Sequence, residues 1–219
     1  MTRLNEIKNY FINTYNLNEE ELDSFINGSV NLSILISQYA HRNEHRVNGE
    51  EYYMHPAGCL NLCRRFFGIT DLNDPFSINK DLMYERGIPF DGAQELCLLH
   101  DVVEDTDFTI NDICEIFTEM NEELYFNLYL KRPLELITHD KTVDYDEYID
   151  LVMKNPISSL VKMIDMQDNL NALTLDSFGE ENYNRSSRYL SYIYKINNKY
   201  HFIENMNEYR NKFRGECNE

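Results

Sequence analysis

A chain of 219 residues can bury a substantial core without disulfides, which favours one compact domain with terminal extensions over two cramped ones. Its formal net charge of −18 excludes a protein that coats phosphate backbones, because such surfaces are basic. A small anionic ligand would need a bound cation and local Lys or Arg residues to enter that field. The first ten residues are polar and lack the apolar core of a secretory signal, and no apolar run approaches a bilayer span. Cysteines number five, and Cys97 and Cys114 fall inside apolar helical patterns, as reduced thiols do. A soluble, cytoplasmic protein without a membrane or nucleic-acid polymer as partner is expected.

Glycine and proline are scarce, and apolar residues recur at intervals of three and four. Taken in chain order, the pattern predicts helices over 3–15, 19–27, 29–42, 56–67, 92–104, 110–137, 144–154, 157–173 and 182–213, and no strand. The expected fold is therefore all-α, a compact multi-helix bundle. Pro56 suits a first helical position, Asp91 with Gln94 suits a capping pair, and Asn155 precedes Pro156. Between them, Ile69 to Asp91 carries Asp74-Pro75 and Gly87-Ile88-Pro89, the turn residues of a long connection that serves either as a surface insertion or as a lid.

The residues that carry chemistry lie in three segments. His100, Asp101, Glu104 and Asp105 occupy little more than one helical turn, with His100 and Glu104 expected on one face and Asp101 and Asp105 on another. A His-Asp pair alone is usually a surface feature. Here Leu96, Leu98 and Leu99 draw the segment into the core, where so many ionisable groups need a metal or hydrogen-bond partners. His55 stands at a helix start before Pro56, and Asp165 and Asn169 share one face of an otherwise apolar helix. Alone, His55 reads as a structural histidine, and Asp165 as readily a surface or ion-pair residue as a ligand; their occurrence together with the His100-Asp101 pair, which can reach one cation, shifts the reading toward a site.

These segments, in this order, resemble the hydrolase domain of the RelA/SpoT family, an HD-superfamily fold, and in size its small stand-alone alarmone hydrolases. The blocks that carry the resemblance are Ala40 to Pro56, His100 to Thr106, and Val161-Lys162 through Asp165 to Asn169-Leu170. Weaker similarity follows at Leu136-Ile137-Thr138 and around Arg185 to Tyr189, so residues 29–195 are expected to form the HD domain between helical extensions at 1–28 and 196–219. The resemblance implies a manganese ion (Mn2+) held by His55, His100, Asp101 and Asp165, with Glu104 and Asp105 positioning and activating water. It further implies removal of pyrophosphate from the 3′ position of guanosine tetra- or pentaphosphate, with Arg46 on the purine, Asn169 at the nucleoside, and Arg185 and Tyr189 near phosphate or ribose. Two positions depart from the family pattern: Val47 stands where a lysine is usual, and Glu51 where a proline precedes Tyr52. Lys141 and Lys162 are candidates to replace the lost charge. No synthetase or regulatory domain fits in the remaining residues, so a hydrolase-only protein is expected.

Other readings remain. His41, Glu44 and His45 spell the H-x-x-E-H pattern of a zinc peptidase group, which requires the two histidines four apart on a helix. Cys59 and Cys63 lie one turn apart without a second thiol pair. The same fold could serve a catalytically silent nucleotide-binding protein, against which the Glu104-Asp105 pair argues, or a phosphohydrolase acting on a nucleoside monophosphate or NADPH.

Overall fold

The structure is a computed structural model that describes residues 2–46, 49–69, 78–174, 177 and 179–216, with side chains through residue 212. Val47, Cys217 and the Asp74-Pro75 turn lie outside the described residues. In chain order the helices are α1 (Arg3–Tyr15), α2 (Glu19–Phe25), α3 (Ser29–Ala40), α4 (Met54–Phe67), α5 (Lys80–Glu85), α6 (Ala93–Leu99), α7 (Val102–Asp105), α8 (Ile110–Glu119), α9 (Glu123–Tyr125), α10 (Lys131–Ile137), α11 (Tyr145–Val152), α12 (Pro156–Asn171), α13 (Glu180–Tyr200) and α14 (Phe202–Glu216). Among the described residues the extended structure is one isolated antiparallel bridge, His45 to Glu51, so the chain is all-α as expected.

Three helices form the centre. α4, α6 and α12 pack against one another, with α3 on α6 and α13 on α12. Their sequences explain the position: α6 buries Ala93, Leu96, Cys97, Leu98 and Leu99, and α12 buries every residue from Ser158 to Met166. An amphipathic surface helix would show a polar face over such a run. α12 instead accepts Lys162 and Asp165 into the interior, where each needs the other (Nζ to Oδ2, 2.9 Å). Asn155 caps this helix, accepting from the backbone N–H groups of Ile157 (2.8 Å) and Ser158 (3.2 Å). At the chain ends, α1 buries Leu4, Ile7 and Phe11, and α14 buries Phe202, Met206 and Tyr209, all in the same core cluster.

Several expected helices are broken, each for a local reason. The helix expected over 92–104 stops at Leu99 and restarts at Val102. His100 turns its Nδ1 back onto the Cys97 carbonyl (2.9 Å), occupying an acceptor of the last turn. Asp91 does not cap α6: Gly92 takes that place, while Asp91 accepts from Lys80 (2.8 Å) and Tyr84 and Gln94 accepts from Arg64 (3.0 Å). The helix expected over 110–137 ends at Glu119, where Asn121 adopts a left-handed conformation (φ 60°) and the Glu122 N–H closes on the Phe117 carbonyl (2.8 Å). It resumes as α9, then a π-helical turn over Phe126–Leu130, then α10. Pro133 accounts for that widened turn, because it cannot donate to the Tyr129 carbonyl four residues back. The helix expected over 182–213 is cut at His201 (φ 54°), and the Asn197 side chain caps α14 by accepting from the Ile203 N–H (3.0 Å). Within the 69–91 connection, α5 was not expected, and Leu82, Met83, Ile88 and Phe90 are buried, so its described part belongs to the core.

The Tyr129 carbonyl approaches Gly92. A Cβ at position 92 would lie 2.6 Å from that oxygen, and Gly92 itself has φ +82°. Gly92→Ala meets both obstacles, and the neighbour is backbone that cannot swing aside. It should cost roughly 1–3 kcal/mol of stability, the range for a strained left-handed residue, read from urea unfolding midpoints. An alanine variant as stable as the parent would contradict this account of the α6 start.

Candidate metal centre

The centre lies where α4, the α6–α7 junction and α12 meet. His55 Nε2 is 3.1 Å from Asp165 Oδ1, 3.5 Å from Asp101 Oδ2 and 3.3 Å from His100 Nε2. His100 Nε2 is 3.2 Å from Asp101 Oδ2 and 3.8 Å from Asp165 Oδ1. Ligands about 2.1 Å from a shared ion stand about 3.0 Å apart in octahedral and about 3.4 Å in tetrahedral arrangement, and these separations fall around both values. The four side chains expected to converge therefore do so.

The hydrogen-bond roles make the same point. His100 Nδ1 faces a carbonyl and His55 Nδ1 faces Asp168 Oδ2 (2.7 Å), so both Nδ1 atoms act as donors. Two Nε2 lone pairs and two aspartate oxygens then face one another in a buried space. Such a group is stable only with protons or a cation between its members. Burial opposes charge on His100, but the charge of Asp101 and the hydrogen bonds to Asp101 and Asp165 outweigh it and raise its pKa to about 10. For His55 burial is likewise outweighed, by hydrogen bonds to Asp165 and Asp168, and its pKa rises. Asp165 moves the other way: burial is overcome by Lys162 and the two imidazoles, which hold it well below the usual carboxylate range. A proton and a cation thus compete for the same Nε2 positions.

A different set, His55, Cys59, His100 and Asp165, also has ligand atoms within 4.8 Å of one another. We favour Asp101 over Cys59 as the fourth member. The Cys59 sulfur lies 3.9 Å from His55 Nδ1, the nitrogen already bonded to Asp168. Burial, followed by the charges of Asp165 and Asp168, pushes its thiol pKa well up.

Around this core the remaining expected residues divide. Asp105 joins Asp101 through the Tyr52 hydroxyl, which contacts Asp101 Oδ2 (2.9 Å) and Asp105 Oδ2 (3.1 Å); Lys141 Nζ is 3.7 Å from Asp105 Oδ1. Glu104 turns aside, with Oε2 accepting from the His139 backbone N–H (3.0 Å). Asn169 donates to Asp165 Oδ1 (2.7 Å) and receives Arg46 at 3.5 Å. The Arg46 N–H donates to the Glu50 carbonyl (2.8 Å), and Gly49 has φ +87°. Tyr189 is half-buried, and burial followed by the charge of Asp165 raises its pKa. Arg185 is exposed, donates to Asn182 (2.7 Å), and makes no contact with the four converging side chains among the described interactions. Tyr52, Gly58 and Asp168 were not singled out from sequence. The signal for Asp168 was its three-residue offset from Asp165 on one helix.

The peptidase alternative fails on geometry. α3 ends at Ala40, so His41 and His45 do not share a helix face; His41 Nδ1 pairs with Glu44 (2.7 Å) and its ring packs on Tyr52.

No protein-family model matches the chain. Among curated proteins it is 32% identical over 111 residues to the guanosine-3′,5′-bis(diphosphate) 3′-pyrophosphohydrolase MESH1 of Homo sapiens, spanning 48% of this chain and 57% of that protein. MESH1 of Xenopus tropicalis is 31% identical over 101 residues, 45% of this chain and 51% of that protein. The chain thus spans about half the length of the curated relatives it matches. A solved structure of a metazoan ortholog of SpoT that hydrolyses ppGpp aligns with 82% of this chain and 86% of its own at 20% identity and a TM-score of 0.48. Over about half its length the chain is therefore similar to the small alarmone hydrolases that its sequence blocks resemble.

Proposed function

We propose that the protein is a metal-dependent phosphohydrolase that removes the 3′-pyrophosphate from guanosine tetra- or pentaphosphate. The observation that carries this is the convergence of two Nε2 atoms and two aspartate oxygens with both Nδ1 atoms already committed. The similarity to curated 3′-pyrophosphohydrolases supports the substrate class. His55, His100, Asp101 and Asp165 would hold one divalent ion, for which manganese suits a mixed imidazole and carboxylate set. When bound, the ion lowers the pKa of a coordinated water and offsets phosphoryl charge.

The chain's own residues would do the rest. A carboxylate oxygen of Glu104 or Asp105 holds the proton of the attacking water, and the Tyr52 hydroxyl keeps Asp105 oriented beside Asp101. Arg46 offers its guanidinium to the purine, Asn169 its amide to the nucleoside, and Arg185 and Tyr189 line the phosphate and ribose side. Lys162 offsets charge at Asp165 from behind, and Lys141 stands beside Asp105, which lowers the electrostatic cost of an anion approaching so acidic a protein.

Purified, manganese-loaded protein offered guanosine tetraphosphate should release pyrophosphate and a nucleotide with a free 3′-hydroxyl, resolved by anion-exchange chromatography. Release of single phosphates, or turnover only of nucleoside monophosphates or NADPH, would replace this substrate with another. Tight nucleotide binding without any product would favour a silent binding protein.

A further inference from the structure

We propose that Asp168 is a positioning residue for His55, and that Gly58 is the cradle that admits it. The inference rests on the metal-site reading above. His100 is oriented by its own helix, through the Cys97 carbonyl, whereas His55 depends on a side chain from a different helix. Asp168 crosses from α12 to α4 and places Oδ2 2.7 Å from His55 Nδ1. That approach passes over Gly58, one turn along α4. A Cβ at position 58 would lie 2.3 Å from Asp168 Oδ1 and 3.0 Å from its Cγ. Any larger residue at 58 therefore displaces the carboxylate, which is the flexible end of a side chain and can move without disturbing the helices.

The contact decides the tautomer. With Asp168 accepting from Nδ1–H, the Nε2 lone pair of His55 points at Asp165, Asp101 and His100. Without Asp168, the remaining polar neighbour of Nδ1 among the described residues is the Cys59 sulfur at 3.9 Å, a weak partner. The ring would then be free to carry its hydrogen on Nε2, inside the centre, where it obstructs a cation. The His55 side chain is only 4% exposed, so bulk water does not replace the lost acceptor. Asp168 Oδ2 also lies 3.6 Å from Arg46 Nη1, so the same carboxylate ties the orientation of a metal ligand to the residue proposed to meet the purine.

The test is manganese affinity by titration calorimetry on the full chain, with histidine nitrogen NMR of the metal-free protein to read which nitrogen of His55 carries hydrogen. Asp168→Ala should weaken manganese binding about ten- to a hundredfold, the scale for losing a partner of a metal-bound histidine, and should destabilise the Nδ1–H form. Gly58→Ala should weaken it comparably although it alters no polar group. The double variant should bind like Asp168→Ala alone, because the new methyl then has no carboxylate to displace. Multiplying losses would mean that Gly58 acts by another route and would overturn the cradle. Wild-type affinity and an unchanged His55 tautomer in Asp168→Ala would overturn the positioning role. If that variant fails to fold by melting, Gly58→Ala decides alone, and retained affinity there rejects the proposal. Absence of manganese binding by the parent chain would instead reject the metal reading itself.

Discussion

Asp165→Asn is expected to lose stoichiometric metal and hydrolytic turnover together. The substitution keeps the shape of the side chain and removes the charge on which His55, His100, Lys162 and Asn169 converge. A buried lysine left without its carboxylate is an expensive defect: breaking a buried pair by removing one partner costs about 3–5 kcal/mol. The variant should therefore also melt earlier than the parent even with no metal present. Asp101→Asn should share the loss of metal but not the full loss of stability, because Asp101 contacts no lysine or arginine among the described ion pairs. Metal content by plasma mass spectrometry, initial rates and thermal melts separate the three effects. An Asp165→Asn protein that retains one tightly bound ion would remove Asp165 from the centre.

Glu104→Gln and Asp105→Asn are expected to do the opposite, retaining metal near the parent level while turnover falls by roughly two or more powers of ten, the scale of a lost general base. Neither carboxylate is within the four-residue cluster, and both remain able to accept hydrogen bonds as amides. The structure separates their surroundings. Glu104 has one oxygen committed to the His139 backbone, and Asp105 is held by Tyr52 and faces Lys141. The larger loss marks the residue that takes the proton. Near-parent rates in both variants would reject the assigned chemistry while leaving the metal centre intact.

Much of this was legible in sequence because the residues are of unusual type for their setting. Lys162 and Asp165 within an apolar run, and His100 and Asp101 after three leucines, violate the pattern of a core helix, and violations of that kind mark sites. The three- and four-residue spacing was also enough for the all-α fold. Helix ends fared worse. The break at His100 carries no glycine or proline and is set by an imidazole turned onto the Cys97 carbonyl, a contact with no sequence signature. Asn121 and Asn197, by contrast, were signals passed over, since asparagine tolerates left-handed backbone and caps helices readily. Asp168 was hidden for another reason: its role depends on the absence of a side chain at Gly58, 110 residues earlier in the chain.

His55, His100 and Asp165 come from α4, the α6–α7 junction and α12, which are distant in sequence and adjacent in space. An ion held there would act as a removable staple through the middle of the bundle, since the unfolded chain cannot bring these ligands together at comparable cost. Each thousandfold excess of free ion over its dissociation constant would add about 4 kcal/mol to the folded state, comparable to much of the stability of an ordinary domain. The abundance of folded protein would then follow the metal supply around it. A chelator would act on the chain's lifetime as well as on its chemistry, exposing it to proteolysis in proportion to the metal withdrawn.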